Sequence, residues 1–249
     1  MAGHSHWARI KRAKASNDAK RGKVWSKLSR AIIVAARNGG GEPDTNLTLR
    51  YAIDAAKAEN MPKDTIERAV KKGTGGLEGA NFEELNYEGY GPGGVAIMCM
   101  VLTDNRNRTA PEIKRLFEQR GGNLGASNCV AWMFNSRGVI VVSADATDEE
   151  SLTNLALEAG ADDLAEADGA FELTCDPSAF DGLRKALSDA GIKFESAEVS
   201  MVPSSTVTLT GKQAEKMIRL IEGLEDHDDV QNVYTNFEIS QADMQQYAG

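Results

Sequence analysis

The amino-acid sequence predicts an α+β protein, in which an N-terminal helical bundle precedes two ferredoxin-like α/β domains, one inserted in the other. Three observations predict this class. The first third of the chain has helical periodicity, a glycine-rich stretch follows it, and strands then alternate with helices. Within the alternating part, residues 138–202 have the order βαββαβ, which is that of a ferredoxin-like unit.

The first third of the chain is predicted to form three helices. Ser16–Asn17–Asp18 is a helix-start signal and the glycines at 39–41 are a stop, which predicts a helix over 17–37. A second helix is predicted at about 46–59 and a third at about 62–72. Because each helix has one apolar face, the three are expected to pack together as a small bundle.

The chain after residue 72 is predicted to be a linker followed by alternating strands and helices. Residues 73–84 are rich in glycine, which is typical of a linker. GYGPGG (89–94) precedes a strand and not a helix, so it predicts a tight turn rather than a dinucleotide-binding loop. Strands are predicted at 95–103, 129–134, 138–144, 163–167, 170–175, 193–202, 205–211 and 230–239, and helices at 110–122, 148–160, 177–191 and 212–225.

These elements predict three domains and a tail. Residues 1–77 are the basic helical bundle, and residues 136–203 are the inserted ferredoxin-like βαββαβ domain. The pieces on either side of the insertion, 78–135 and 204–240, are expected to form one discontinuous α/β domain. Residues 241–249 are polar and are expected to be a flexible tail.

Positive charge is concentrated at the N-terminal end of an acidic chain. The formal net charge is −9, yet residues 1–72 contain 16 Lys and Arg against 7 Asp and Glu. The remainder contains 12 basic and 30 acidic residues. Such an asymmetry indicates nucleic-acid contact by the basic part. The acidic α/β domains are expected to set orientation and to contact protein partners.

The first predicted helix carries its cations on the face opposite its apolar residues. Residues 1–37 contain ten Lys and Arg and one acid, Asp18. A solvated surface stripe usually mixes both signs, so we interpret this face as a phosphate-binding footprint. This face points away from the bundle core. Replacing Lys20, Lys23, Lys27 and Arg30 by Glu is therefore expected to abolish binding with little effect on folding.

The predicted nucleic-acid-binding residues extend from this helix into the N-terminal arm. The arm offers Trp7 for base stacking and His4 and Ser5 for close contacts, although a disordered terminus is the alternative. Contacts to phosphate supply affinity and little sequence information. The full predicted set is His4, Ser5, Trp7, Arg9, Lys11, Arg12, Lys14, Lys20, Arg21, Lys23, Lys27 and Arg30.

A secondary anion site is predicted at the loop TDNRNRTAPEIKRLF (103–117). Arg106 and Arg108 precede a helix for which Thr109 is the expected N-cap. A helix N-terminus beside two arginines is suited to an anion. The alternative is a capped loop whose arginines pair with local acids, and the sequence leaves both open.

The sequence offers no catalytic residues, no metal ligands and no cofactor site. The three cysteines Cys99, Cys129 and Cys175 are far apart and form no CxxC, which favours a reducing compartment over a disulfide frame or a zinc site. His4 and His6 form an HxH pair without further ligands at suitable spacing. An enzyme that acts through the glycine-rich loops 89–94 and 121–125 is a separate hypothesis, and it predicts a bound small molecule.

The chain is expected to be cytoplasmic and not membrane-bound. No apolar run approaches the roughly 20 residues that a membrane span needs, and the basic N-terminus lacks the apolar stretch of a secretory signal. The oligomeric state is not indicated by any pattern in the sequence.

Four stretches resemble the signature blocks of the YebC/PmpR family. They are AGHSHWARIKRAKASNDAKRGKVWSKL, NMPKDTIERAVKKGTGG, YEGYGPGGVAIM and TDNRNRTAPEIKRLFEQRGGNLG. The resemblance covers about residues 2–240 and implies a helical N-terminal bundle with two α/β domains, one inserted in the other. Two departures soften the charge of the arm: His6 stands where many members have Lys, and Ala13 lies in a stretch that is often more basic.

The resemblance implies a role on nucleic acid. Bacterial members are commonly described as probable transcriptional regulators that bind promoter DNA, and mitochondrial relatives activate translation of cytochrome c oxidase subunit I. We therefore predict a non-enzymatic, DNA-binding transcriptional regulatory protein. The alternative is a translation factor associated with the ribosome or its rRNA, which activates translation or relieves stalling at proline runs. The absence of a clear helix-turn-helix weighs against the first, and the Trp7 arm with the glycine linkers favours the second.

Overall fold

The computed structural model describes residues 18–77, 82–167 and 169–239, with side chains at 22–77, 82–166 and 169–239. The predicted arm at 1–17, the predicted tail at 241–249 and Asp168 lie outside the described residues. Over the described part the chain is an α+β protein, as predicted. Among these residues, no helix combines the length and the apolar character that crossing a membrane requires.

The N-terminal part is a bundle of three helices. They are α1 (Asp18–Gly39), α2 (Leu47–Ala58) and α3 (Lys63–Gly73), each within two residues of the predicted bounds. Their apolar faces meet in one buried cluster that includes Ile32, Leu49 and Ile66. The buried side chain of Asn46 caps α2 by accepting from the Leu49 N–H, while its amide donates to the carbonyls of Ala35 and Gly40. One amide therefore joins the end of α1 to the start of α2.

Beyond the bundle, the described chain contains ten strands and four α-helices. The strands are β1 (Glu83–Tyr90), β2 (Ala96–Thr103), β3 (Asn123–Leu124), β4 (Phe134–Ser143), β5 (Ala161–Ala167), β6 (Ala170–Cys175), β7 (Phe194–Pro203), β8 (Val207–Leu209), β9 (Val230–Thr235) and β10 (Phe237–Ile239). The helices are α4 (Arg106–Gln119), α5 (Glu149–Glu158), α6 (Phe180–Asp189) and α7 (Gly211–Glu225).

The first four-stranded sheet has the order β3-β1-β2-β9, and its neighbouring strands are antiparallel. Strand β9 comes from the far end of the chain and pairs with β2, so that Val233 lies opposite Cys99. Buried residues of α4 and α7, such as Phe117 and Met217, pack with β2 in a single core. This arrangement places the C-terminal end of α7 and the loop before β9 beside the bundle.

The second four-stranded sheet has the ferredoxin-like order predicted for residues 138–202. Its strands run in the order β5-β6-β4-β7, all antiparallel, and α5 and α6 connect them. Helices and sheet share a core that contains Ile140, Leu152, Leu173 and Leu183. Gly169 in the β5–β6 hairpin has φ +75°, a conformation that glycine adopts readily.

One strand prediction and one linker prediction before residue 138 were wrong. Residues 129–134 are not a strand, because Ala131–Met133 form a 3₁₀ turn and β4 begins at Phe134. The physical reason is Glu88, whose buried carboxylate accepts the backbone N–H groups of Val130 and Ala131, which a strand would use in a ladder, and that of the preceding Asn128. The predicted linker 73–84 also overlaps β1, whose glycine and polar residues obscure its pairing with β2.

The C-terminal strands also differ from the prediction. The predicted strand 230–239 is divided into β9 and β10, and β10 pairs in parallel with β8 in a separate two-stranded sheet. Asn236 lies between them, 1% exposed, and its side-chain oxygen accepts the N–H of Ala96. Its own carbonyl accepts the N–H of Val207, so this residue bonds to one strand of each sheet. A local hydrophobic pattern does not reveal such a change of partner.

We predict that Gly73→Ala destabilises the bundle. A Cβ at this last residue of α3 would lie 2.5 Å from the carbonyl oxygen of Ile33 and 2.6 Å from the Cβ of Ala36. The helices must then separate, and the free energy of unfolding should fall by about 1–3 kcal/mol. Gly22→Ala in α1 is the control, because a Cβ there meets nothing within 4 Å. Urea denaturation should show no loss for the control, and equal losses for both variants would contradict the close packing.

Candidate nucleic-acid interface

The cationic face of α1 lies against an acidic segment, which we define as residues 225–229 at the end of α7. Lys23 Nζ donates to Asp226 Oδ1 at 2.9 Å and to the Asp226 carbonyl at 3.3 Å. Lys27 Nζ donates to the Glu225 carbonyl at 2.5 Å. Because residues three and four apart share one side of a helix, Lys23, Lys27 and Arg30 all face this segment.

Arg30 makes the most buried of these contacts. Its Nη1 lies 3.0 Å from Asp229 Oδ1 and also donates to the Asp228 carbonyl. The Arg30 side chain is 22% exposed and that of Asp229 4%, whereas Lys23 and Asp226 are 47% and 76% exposed. Exposed ion pairs contribute little to stability, so the Arg30–Asp229 pair is the main ionic contact between the bundle and the acidic segment.

The acidic segment suits cations for two reasons. It carries carboxylates, and it contains the C-terminal carbonyls of α7, where the helix dipole is negative. The hydrogen bond to Asp226 raises the pKa of Lys23 above its usual value, and the charges of Asp226 and Asp228 add to this effect against the burial that lowers it. The anions that meet this face in the structure are therefore the chain's own.

Asp229 is a buried carboxylate that joins three elements. It accepts hydrogen bonds from Arg108 Nη2 at 2.8 Å, from Thr109 Oγ1 at 2.7 Å and from Thr103 Oγ1 at 3.2 Å, besides that from Arg30. Burial by itself would raise the pKa of Asp229, but the hydrogen bonds and charges of these partners outweigh it and hold the pKa below its usual value. The carboxylate thus stays ionised while linking α1, β2 and α4.

His227 fixes the course of the acidic segment. Its Nδ1 accepts the backbone N–H of Asp229 at 3.1 Å, so its Nε2 carries a proton that it can donate to Glu112 Oε2 at 3.0 Å. The imidazole is thereby held between α4 and the segment that meets α1.

The structure brings together three of the predicted nucleic-acid-binding residues and leaves the others undescribed. Lys23, Lys27 and Arg30 lie on one face, and residues 225–229 contact that face. The expectation that replacing Arg30 has little effect on folding does not fit its contact with the buried Asp229. Lys20 and Arg21 belong to α1 without described side chains. The arm residues His4, Ser5, Trp7, Arg9, Lys11, Arg12 and Lys14 lie outside the described residues.

The predicted secondary anion site is partly filled by carboxylates of the chain. Arg108 pairs with Asp104 at 3.0 Å and with Asp229 at 2.8 Å, and Arg106 is exposed. The N-cap of α4 is Asn105 and not Thr109, whose hydroxyl is used by Asp229 instead. Anion binding at Arg106 and Arg108 stays a prediction.

Sequence reasoning missed two features of this region. The first is a group of exposed cations on α3, namely Arg68, Lys71 and Lys72. The clustered KK near the end of α3 was a usable signal for them. The second is the acidic segment as a partner of α1, which the letters EDHDD at 225–229 do not place in space.

The bundle also contacts the inserted α/β domain. Arg184 of α6 lies 3.3 Å from Asp54 and stacks over the Tyr51 ring at 6.0 Å. Tyr51 in turn meets Phe180 edge to face, with ring centroids 5.6 Å apart. Burial, together with the nearby Asp181, raises the pKa of Tyr51 to about 12. The bundle therefore contacts both α/β regions, the first through residues 225–229 and the inserted domain through Arg184 and Phe180.

Comparison with known sequences identifies the chain's relatives. The profile described as the TACO1/YebC protein N-terminal domain matches residues 5–76, and that of the TACO1/YebC second and third domain matches residues 82–237. The chain belongs to the TACO1/YebC family. The resemblance inferred from the four sequence blocks is thereby confirmed.

Individual members of the TACO1/YebC family are similar over nearly their whole length. A probable transcriptional regulatory protein of Desulfatibacillum aliphaticivorans is 56% identical over 96% of this chain and 97% of its own. One from Geobacter sulfurreducens is 55% identical over 98% and 99%. The crystal structure of a conserved hypothetical protein from Aquifex aeolicus matches with a TM-score of 0.81 and 47% identity, covering 90% of this chain and 93% of that one.

We predict that Asp229→Asn lowers the free energy of unfolding by about 2–3 kcal/mol at pH 7, because it leaves Arg30 and Arg108 without their shared charge partner. The folded-state pKa of Asp229 is depressed, so its contribution is present above the unfolded pKa of about 3.9 and is lost as the pH falls further. Denaturation curves at several pH values should therefore show the gap between wild type and variant closing below about pH 4.

The control for this prediction is Asp104→Asn. Asp104 also pairs with Arg108, but both side chains are 45% exposed, so the loss should stay below about 1 kcal/mol. A similar loss for both variants, or a gap that persists at acid pH, would show that the charge of Asp229 does not stabilise the fold.

Proposed function

We propose that this TACO1/YebC protein is a nucleic-acid-binding regulator of gene expression that acts in the cytoplasm as a DNA-binding transcriptional regulatory protein. The observation that carries the proposal is the concentration of positive charge in residues 1–72, with 16 Lys and Arg against 7 Asp and Glu, in a chain of net charge −9. A basic region on an otherwise acidic protein is the usual electrostatic footprint of nucleic-acid binding. The relatives named as probable transcriptional regulatory proteins support DNA as the target.

The proposed binding surface combines the arm, the cationic face of α1 and the exposed cations of α3. Lys23 and Lys27 already bond to carboxylate and carbonyl oxygens of residues 225–229. A DNA backbone would replace these oxygens by phosphate oxygens. Arg30, whose partner Asp229 is buried, is proposed to stay with the acidic segment and to hold the bundle in place.

We predict that Lys23→Glu with Lys27→Glu weakens binding to duplex DNA by at least about tenfold. Each lost phosphate contact should reduce the slope of log affinity against log salt by about 0.9, so the pair should reduce it by about 2. Fluorescence anisotropy with a labelled duplex at salt concentrations from about 50 to 200 mM measures both quantities. Arg30 is left unchanged because its loss would disturb Asp229.

The matched control removes the acidic side of the same contact. Asp226→Asn with Asp228→Asn takes away the competing charges and keeps every cation, so DNA binding should be retained or strengthened. If the acid variant loses binding as the lysine variant does, the contact supports domain arrangement and the lysines do not touch phosphate.

The nature of the target is tested by crosslinking in living cells, with DNA and RNA recovered in parallel and sequenced. We expect enriched promoter DNA that shares a common site. Recovery of ribosomal RNA at a few discrete positions, without promoter DNA, would contradict a transcriptional role and support the translation factor considered from the sequence.

A further inference from the structure

Trp132 is the most exposed large apolar side chain among the described residues. Its side chain lies in the 3₁₀ turn before β4 and is 75% exposed, although Trp is ordinarily one of the more buried residues. Tyr90, at the end of β1, is also exposed, at 39%. Nothing in the fold requires an indole at this position, since Val130 and Phe134 on either side supply the buried contacts.

The two aromatic side chains are anchored to the same backbone oxygen. Trp132 Nε1 donates to the Cys129 carbonyl at 3.1 Å, and the Tyr90 hydroxyl donates to it at 3.2 Å. Because the indole N–H is already bonded, the part of Trp132 that remains for a partner is the flat face of its ring. The anchoring also brings Tyr90 beside it on the same surface.

The backbone that carries Trp132 is held in a defined position. The Glu88 side chain, in a residue only 4% exposed, accepts the N–H groups of Asn128 at 2.8 Å, Val130 at 2.9 Å and Ala131 at 2.8 Å. On the other side of Trp132, the Met133 carbonyl accepts the N–H of Ser204 at 2.8 Å. Binding at this ring therefore costs little conformational entropy, because the backbone that carries Trp132 is already ordered.

The sequence on both sides of Trp132 lacks acidic residues. The stretch 119–144 contains no Asp or Glu, in a chain that has 37 of them, and neither does 203–214. These stretches meet where Phe134 pairs with Pro203 and where Asn135 Nδ2 donates to Ser204 Oγ at 2.9 Å. The exposed residues next to Trp132 in sequence include Asn128, Asn135 and Ser136, which carry amides and a hydroxyl. The Glu88 carboxylate is buried and bonded to backbone N–H groups, and Glu238 bonds to Thr206 and Thr208 in the second stretch.

We propose that Trp132, with Tyr90 beside it, is a stacking platform for an unpaired nucleobase of a single-stranded nucleic acid. Aromatic faces stack on any base, and amides and hydroxyls bond to base edges. A protein partner would instead need a contiguous apolar patch, and the other exposed large apolar side chains of the described residues, Leu47, Leu77 and Leu157, lie in other parts of the chain. The lack of acids admits a polyanion. The proposal rests on the proposed nucleic-acid role and adds a base-contacting site apart from the cations of α1.

The test measures binding of the full chain to short single strands, of RNA and of DNA with the same sequence, for Trp132→Ala, Trp132→Leu and Trp132→Phe. Loss of one stacked base predicts an affinity about 5- to 150-fold lower for the Ala and Leu variants, with Phe much closer to wild type. The salt dependence should not change, because no charge is removed. Leu157→Ala, which removes another exposed apolar side chain at 62% exposure, should bind like wild type.

A second readout is the quenching of tryptophan fluorescence on binding, compared between wild type and Trp132→Phe. Stacking predicts a quenched component that the Phe variant lacks. Unchanged affinity in Trp132→Ala, or full retention in Trp132→Leu, overturns the platform. A stronger effect with RNA than with DNA identifies a transcript as the source of the base, and the reverse identifies melted DNA.

The outcomes distinguish a failure of the Trp132 platform from a failure of the proposed DNA binding by the cations of α1. If Trp132→Ala leaves single-strand binding intact while Lys23→Glu with Lys27→Glu weakens duplex binding, only the platform fails. If single-strand binding depends on Trp132 while the lysine variant binds duplex normally, only the assignment of the α1 cations fails.

Discussion

The arrangement of this protein depends on one buried carboxylate. Asp229 receives hydrogen bonds from side chains of α1, β2 and α4, and it directly precedes β9, which completes the first sheet. A buried charge is tolerated only where partners replace its lost hydration, and here arginines and threonine hydroxyls do so. Asp229 thus positions the basic bundle against the acidic α/β part, and it does so directly before the residue at which β9 begins its pairing with β2.

The elements that depend on local sequence were predicted well. The bundle helices have clear start and stop residues, and the βαββαβ order of the inserted domain follows from periodicity. Errors arose where distant groups intervene. Residues 129–134 do not form the predicted strand, because the Glu88 carboxylate accepts backbone N–H groups there. The predicted strand 230–239 is interrupted at Asn236, whose side chain bonds to Ala96. No local pattern contains those partners.

In the candidate site, too, the features set by local sequence were predicted and the features set by distant contacts were not. Helical spacing correctly placed Lys23, Lys27 and Arg30 on one face, because that follows from helix geometry alone. That the face meets residues 225–229 depends on contacts across about 200 positions of sequence, such as the 203 between Lys23 and Asp226. The Trp132 surface was hidden for a related reason, since an apolar residue between Val130 and Phe134 looks like part of a buried strand.

The long separation between α1 and its acidic partner has a consequence for synthesis of the chain. The bundle contains mainly local contacts and can fold as soon as its three helices have left the ribosome, whereas β2 lacks its neighbour β9 until residues 230–235 are made. Throughout that interval Lys23 lacks Asp226 and Lys27 lacks the Glu225 carbonyl. A nascent chain stalled before residue 225 would therefore present a folded basic bundle whose charge is not yet balanced by the rest of the molecule.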